Sequence, residues 1–188
     1  MTTTDTGVRQ RTRRAILDAA VALWARDFSA SLGDIADRAE VSRSTLHRYF
    51  PERQSLVDAL LIDSQARLGE AWGAAVAASS APIETIENIM GAIVDLADHV
   101  LFLFSDPDRF EGNPHWDDSD DDTLPDLIRA AQSSGDLDPA IDPTFVIGVM
   151  YSLIYVTAES VSAGTLPRHK ATDTLVRVFR HGLSPRPS

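Results

Sequence analysis

The chain of 188 residues contains no cysteine. Disulfides, thiolate metal sites and a cysteine nucleophile are therefore excluded, and a reducing cytoplasm is the expected location. No stretch alternates apolar and polar residues long enough to suggest a strand, and no internal repeat is present. No apolar run reaches about 18 residues free of charge, so no membrane-spanning helix is expected. The N-terminus, MTTTDTGVRQRTRR, has no apolar run behind its arginines and does not read as a signal peptide. A nucleophile elbow, a phosphate-cradling glycine loop and a His-x-x-x-His pair are all missing. The five histidines, His47, His99, His115, His169 and His181, are scattered. Neither an enzyme nor a cofactor is expected.

What is present is an ordinary globular balance, with 44% hydrophobic and 24% charged residues, enough to bury a core. The formal net charge is −11, which by itself opposes binding to a polyanion. Its distribution changes that reading. Residues 1–50 hold eight arginines against six acids, a balance of +2, which leaves −13 on residues 51–188. A mildly basic head on an acidic body suggests that the head meets a polyanion and the body does something else.

Apolar spacing throughout is helical, so the expected class is all-α. Ile16, Ala20, Leu23 and Trp24 share one face of a first helix beginning near Thr12, after a polar tail over residues 1–8. Ser31 is a good N-cap for a second helix, with Asp34 as capping partner and Leu32, Ile35, Ala36 and Ala39 as its buried side. After a tight turn at Glu40-Val41, Ser42 caps a short third helix to Tyr49. Pro51 is placed to open a fourth, with Leu56, Leu60, Leu61, Leu68, Trp72 and Val76 as its stripe. A fifth is expected over residues 83–105, then a loop over 106–122. Helices follow over 124–134, 143–161 and from 168 to about His181, with Gly182 as C-cap.

The second and third helices form a helix-turn-helix unit, and the third carries VSRSTLHRYF (41–50). Only Val41, Leu46 and Phe50 of that stretch are core residues; Arg43, Ser44, Thr45, His47 and Arg48 are left facing outward. A recognition helix presents its N-terminal residues to base edges in the major groove. Arginine can donate bidentately to guanine, and hydroxyls suit several acceptors. Ser31, Ser42, Thr45, His47, Tyr49 and Arg53 are of the types that hold phosphates and set register. The donors on this helix are therefore expected to contact DNA.

The stretch from Arg13 to Leu61 resembles the N-terminal domain of the tetracycline-repressor (TetR) family of bacterial transcription regulators. The matching segments are AILDAAVALW (15–24), DIADRAEVS (34–42), STLHRYFPERQSL (44–56) and DALL (58–61). Four departures stand out. The family's turn glycine is Glu40, which predicts either strain or a different turn and adds an anion close to the DNA. The usual tyrosine is His47 and the usual histidine Tyr49. An imidazole donates better when protonated, so pH-sensitive binding is expected. The family lysine is Arg53. The connection over 26–31 is also about two residues shorter than is common.

The resemblance implies a three-helix head over residues 1–50, including a basic arm over 1–14, and a C-terminal bundle over 51–188. The bundle would dimerise and take a small inducer that releases a repressor from a palindromic operator. The last two helices would form the seam, through Val146, Val149, Met150, Leu153, Ile154 and Val156, then Leu175, Val178 and Phe179. The inducer pocket would draw on Met90, Val94, His99, Phe102, Phe104, Trp116, Tyr151 and Tyr155, which equally suit a bundle core. Asp117–Asp122 beside His115 lacks the glycine and closing glutamate of a calcium loop, so a solvated acidic loop is preferred and no metal is expected. The RQRTRR arm is either the solvated start of the first helix or a backbone and minor-groove contact. A competing reading, favoured by Glu40 and the net charge, is a helix-turn-helix interaction module that no longer binds DNA.

Overall fold

The first periodic stretch folds into a longer helix than its pattern suggests. In the computed structural model, which describes residues 3–106, 108–117 and 123–183, α1 runs Thr3–Trp24. The expected tail is therefore helical from Thr3. Arg9, Gln10 and Arg11 are straight-chain residues that lose little freedom in a helix, so it propagates back past the apolar face. The remaining elements are α2 (Leu32–Arg38), α3 (Arg43–Tyr49), α4 (Arg53–Ala77), α5 (Pro82–Val94), α6 (Ala97–Phe104), α7 (Thr123–Ser133), α8 (Pro143–Ser162) and α9 (Arg168–Leu183). There is no strand among the described residues.

Three boundaries differ from expectation. Pro51 lies two residues before α4 rather than in its first turn, where the Glu52 N–H donates to Ser55 Oγ at 3.3 Å. The single helix expected over 83–105 is broken at Asp95 and Leu96 into α5 and α6. Gly182 lies inside α9 and does not cap it.

The chain packs as two compact units. The first comprises residues 1–65 and 101–116, the second residues 66–100 and 117–188. The first thus joins the three N-terminal helices to the start of α4 and to a segment more than thirty residues downstream. Ile16, Leu17, Trp24, Ile35, Leu46, Leu56, Leu60, Leu61 and Phe102 are fully enclosed there. Burying a side chain of this kind contributes about 1.5–3 kcal/mol. The Arg14 guanidinium ties α1 to α4 through Asp63 at 2.6 Å, and also bonds Asp18. Partial burial pulls Arg14 down, but these carboxylates outweigh it and hold the group above its ordinary value.

In the second unit, α5, α7, α8 and α9 pack on one another. Met90, Ile128, Leu137, Met150, Leu175 and Phe179 lie at its centre. The Arg180 guanidinium pairs with Glu87 and with Asp136 at 3.7 Å. Among the described residues α8 is the one helix long and apolar enough to cross a bilayer. Its first sixteen residues carry no charge, and Glu159 enters only in the last turn. Val146, Met150, Ile154 and Ala158 form its inward stripe, while Phe145 and Val156 remain 63% and 55% exposed.

Candidate nucleic-acid interface

Local chemistry sets the two short helices. The Ser31 Oγ accepts the Asp34 N–H at 3.2 Å, and the Asp34 carboxylate accepts the Ser31 N–H at 2.8 Å, a reciprocal capping box. Bonds from the Ser31 hydroxyl, then its N–H, and the nearby Arg43 cation hold the Asp34 carboxyl below its ordinary value. Across the turn, the Glu40 N–H bonds the Asp37 carbonyl at 3.2 Å and the Val41 N–H bonds that of Ala36 at 3.0 Å. This is a Schellman closure, which places its residue after the cap in the left-handed region. Glu40 occupies that place with φ 55° and is the one such non-glycine among the described residues. The turn therefore keeps the left-handed geometry that a glycine there would take, and Glu40 bears the strain.

Ser42 then caps α3, its Oγ accepting the Thr45 N–H at 3.1 Å and lying 3.0 Å from Ser44 Oγ. Leu46 and Phe50 are buried and anchor the helix. Arg43, Ser44, His47 and Arg48 are exposed along its outer side, with Thr45 and Tyr49 half-buried. The Arg48 guanidinium lies 5.7 Å from the Tyr49 ring centre, and His47 Nδ1 is 3.3 Å from the Pro51 carbonyl. An open hollow of about 300 Å³ between α2 and α3 is lined by Ser31, Leu32, Gly33, Arg43, Leu46 and His47. Eight of the nine expected DNA contacts thus belong to α3, its cap or the cap of α2, and four of them, Arg43, Ser44, His47 and Arg48, share the exposed side of α3.

Arg53 is the ninth, and it points elsewhere. Its guanidinium donates to the Ala30 carbonyl at 2.7 Å and to that of Phe28. It lies 4.5 Å from the Trp24 ring centre and 5.0 Å from that of Phe28. It clamps the α1–α2 connection. The arm is also divided. Arg14 is held by Asp18 and Asp63, and Arg13 sits 5.7 Å from the Phe50 ring. Arg9 and Arg11 are exposed on the early turns of α1.

The residues expected to line an inducer pocket are dispersed. Met90, Val94 and His99 are buried in the second unit, where Tyr151 is 51% exposed and Tyr155 half-buried. Phe102, Phe104 and Trp116 belong to the first unit. There Phe102 stacks on Trp24 at 6.4 Å and meets Phe110 at 5.3 Å, and Phe110 stacks on Trp116 at 5.6 Å. Arg109 lies 4.2 Å from the Phe28 ring and donates to the Phe102 carbonyl. Sequence spacing gave no hint of Arg109, because the Phe28 ring it covers is distant in the chain.

The residues expected to form the seam differ in exposure. Val146, Met150, Ile154, Leu175 and Phe179 are buried within the chain's own bundle. Val149 and Leu153 are half-buried, and Val156 and Val178 are exposed. A helix apolar on both sides cannot reveal from sequence which side faces home. Phe145, missed earlier, is the most exposed apolar residue of α8. The acidic run falls largely at 118–122, outside the described residues, and no cluster able to hold a metal occurs among the described ones.

Comparison with known proteins supplies the wider setting. The family model for bacterial regulatory proteins of the tetR family matches residues 16–60. The HTH-type transcriptional repressor LfrR of Mycolicibacterium smegmatis is 33% identical over 183 residues, covering 95% of this chain and 94% of LfrR. The crystal structure of LfrR from Mycobacterium smegmatis superposes with a TM-score of 0.68 at 29% identity, over 95% of this chain and 99% of that one. LfrR has also been solved in complex with proflavine, with a TM-score of 0.66 and 28% identity over the same shares. The ketosteroid regulator KstR2 of Mycobacterium tuberculosis shares the fold, with a TM-score of 0.76 at 18% identity over 93% of this chain and 95% of that one.

Proposed function

This chain belongs to the tetR family of bacterial regulatory proteins and is a DNA-binding transcriptional regulator; from that premise we propose a homodimeric cytoplasmic repressor that a small molecule releases from a palindromic operator. The observation that carries the reading is the outer side of α3, where Arg43, Ser44, His47 and Arg48 stand exposed over a buried Leu46 anchor. Arg43 reads a base and the hydroxyls, His47 and Tyr49 hold phosphates. Helices α1 to α3 hold the DNA, and the later helices dimerise and take the ligand. A second copy of the chain covers the Phe145 and Val156 side of α8. Twofold symmetry then sets two α3 helices about one DNA turn apart.

Release follows from linkage. A ligand that binds more tightly to a dimer whose heads are off operator spacing lowers DNA affinity by that difference. LfrR was crystallised with proflavine, so a planar aromatic compound of that kind is the first inducer to try. The acidic balance of residues 51–188 suits a cationic one.

The test is selection of bound duplexes from a random pool, with binding then repeated across salt. A recovered palindrome with a steep salt slope supports the reading. On that duplex Arg43→Ala should cost about 1–3 kcal/mol and relax selectivity at one position of each half-site. No enrichment by folded, dimeric protein would favour the interaction module instead.

A further inference from the structure

The guanidinium assigned to base readout packs its face against α2. A Cβ placed on Gly33 would meet Arg43 Nη2 at 2.9 Å, Cζ at 3.1 Å and Nε at 3.2 Å. An approach along the edge of a guanidinium would leave Cζ clearly farther than the two nitrogens. Near-equal distances to all three atoms instead set that position mainly over the face of the group. The N–H donors lie in the plane of a guanidinium, so a contact on its face uses none of them. Arg43 is exposed, and among the described residues no hydrogen bond or ion pair takes up its donors. The hollow that it lines with Gly33 is also lined by Ser31 and His47, two residues of the expected DNA contact. Glycine weakens a helix relative to alanine, and Gly33 has no positive φ to account for its presence. Close packing of Arg43 is what a glycine allows there.

We propose that Gly33 is a positioning residue for DNA readout, which seats the Arg43 guanidinium on its face and leaves the donor edge open to a guanine. The inference rests on the assignment of Arg43 to base readout. The operator does not have to empty the seat, because base contact uses the edge of the group and the seat uses its face. A long side chain ordered in advance gives up less freedom on binding. Bidentate recognition gains most, since both of its bonds need one orientation of the fork. A phosphate contact gains little, since a single donor can reach it from many orientations. The seat therefore favours the operator over an arbitrary duplex.

The test measures binding of Gly33→Ala to the duplex enriched from the random pool and to a shuffled duplex of equal length. The atoms nearest to the added methyl group are the far end of a flexible side chain, so the guanidinium is displaced and α2 stays in place. The urea midpoint should hold or rise, which separates lost binding from lost fold. Affinity for the enriched duplex should fall roughly twofold to tenfold. Affinity for the shuffled duplex should change by less than about twofold. Selection repeated with the variant should show a weaker preference at the base position that Arg43→Ala relaxes, and at no other. In an Arg43→Ala background, Gly33→Ala should have no effect on either duplex. Unchanged affinity for the enriched duplex would overturn the seat, as would equal losses on both duplexes, a lowered urea midpoint or an effect that persists without Arg43. If Arg43→Ala itself leaves base selectivity intact, the readout assignment falls and takes the seat with it, so the two failures are distinct.

Discussion

Glu40 holds a left-handed backbone conformation that disfavours any residue with a Cβ by about 1 kcal/mol. Glu40→Gly is therefore expected to raise the unfolding free energy by about 0.5–1 kcal/mol, read as a higher urea midpoint at unchanged slope. The same change removes an anion from the turn that precedes α3, so affinity for DNA should rise with stability; a fall would show that Glu40 serves binding. Asp34 carries the pH dependence at this scale. Its carboxyl is lowered in the folded protein from an ordinary 3.8, first by the Ser31 hydroxyl. The resulting stability is present above the unfolded value and lost as pH falls through the lower folded one. Asp34→Asn should flatten the acid limb of a stability-against-pH curve and leave the alkaline limb unchanged.

Three helices end in one way. After α7 the Gly135 and Asp136 N–H groups bond the Gln132 and Ala131 carbonyls, and after α8 those of Gly164 and Thr165 bond Val161 and Ser160. Both closures use glycine at positive φ, and α2 builds the same closure on Glu40. The helix starts at Ser31, Ser42 and Asp142 were legible because a cap is a contact over two or three residues. The break between α5 and α6 was not, since Asp95-Leu96 contains neither glycine nor proline. The clamp made by Arg53 was not legible for a related reason: its ring and carbonyl partners lie more than twenty residues back in the chain. Lysine cannot span two carbonyls and stack on Trp24. Arg53→Lys should cost about 1–2 kcal/mol of stability. A steady melting temperature with a salt slope reduced by about 1 would instead return Arg53 to the DNA.

At the scale of the whole molecule, the two sides of α8 make opposite demands. Val156→Asp, on the exposed side, should yield a folded monomer by sedimentation, with operator affinity collapsing because the half-sites are no longer bound together. Met150→Asp, on the buried side, should unfold the bundle. A dimeric Val156→Asp would move the seam elsewhere. The head and its helix-turn-helix were legible because their evidence is local. The composition of the first unit was not, because it depends on contacts between remote stretches. The Phe28 ring meets both Arg53 and Arg109, Asp58 accepts a bond from Asn113 at 2.9 Å, and Gln65 donates to the His115 carbonyl at 2.8 Å. The unit that holds α3 is thus discontinuous along the chain, which fixes an order of events during synthesis. The first three helices are synthesised before Phe102 and Arg109 exist, and until then the Trp24 face lacks its cover. A released chain ending at residue 65 should be more protease-sensitive over α1 to α3 than one extended past residue 116, so the reader of DNA is finished only after residues 66–100 of the second unit have been made.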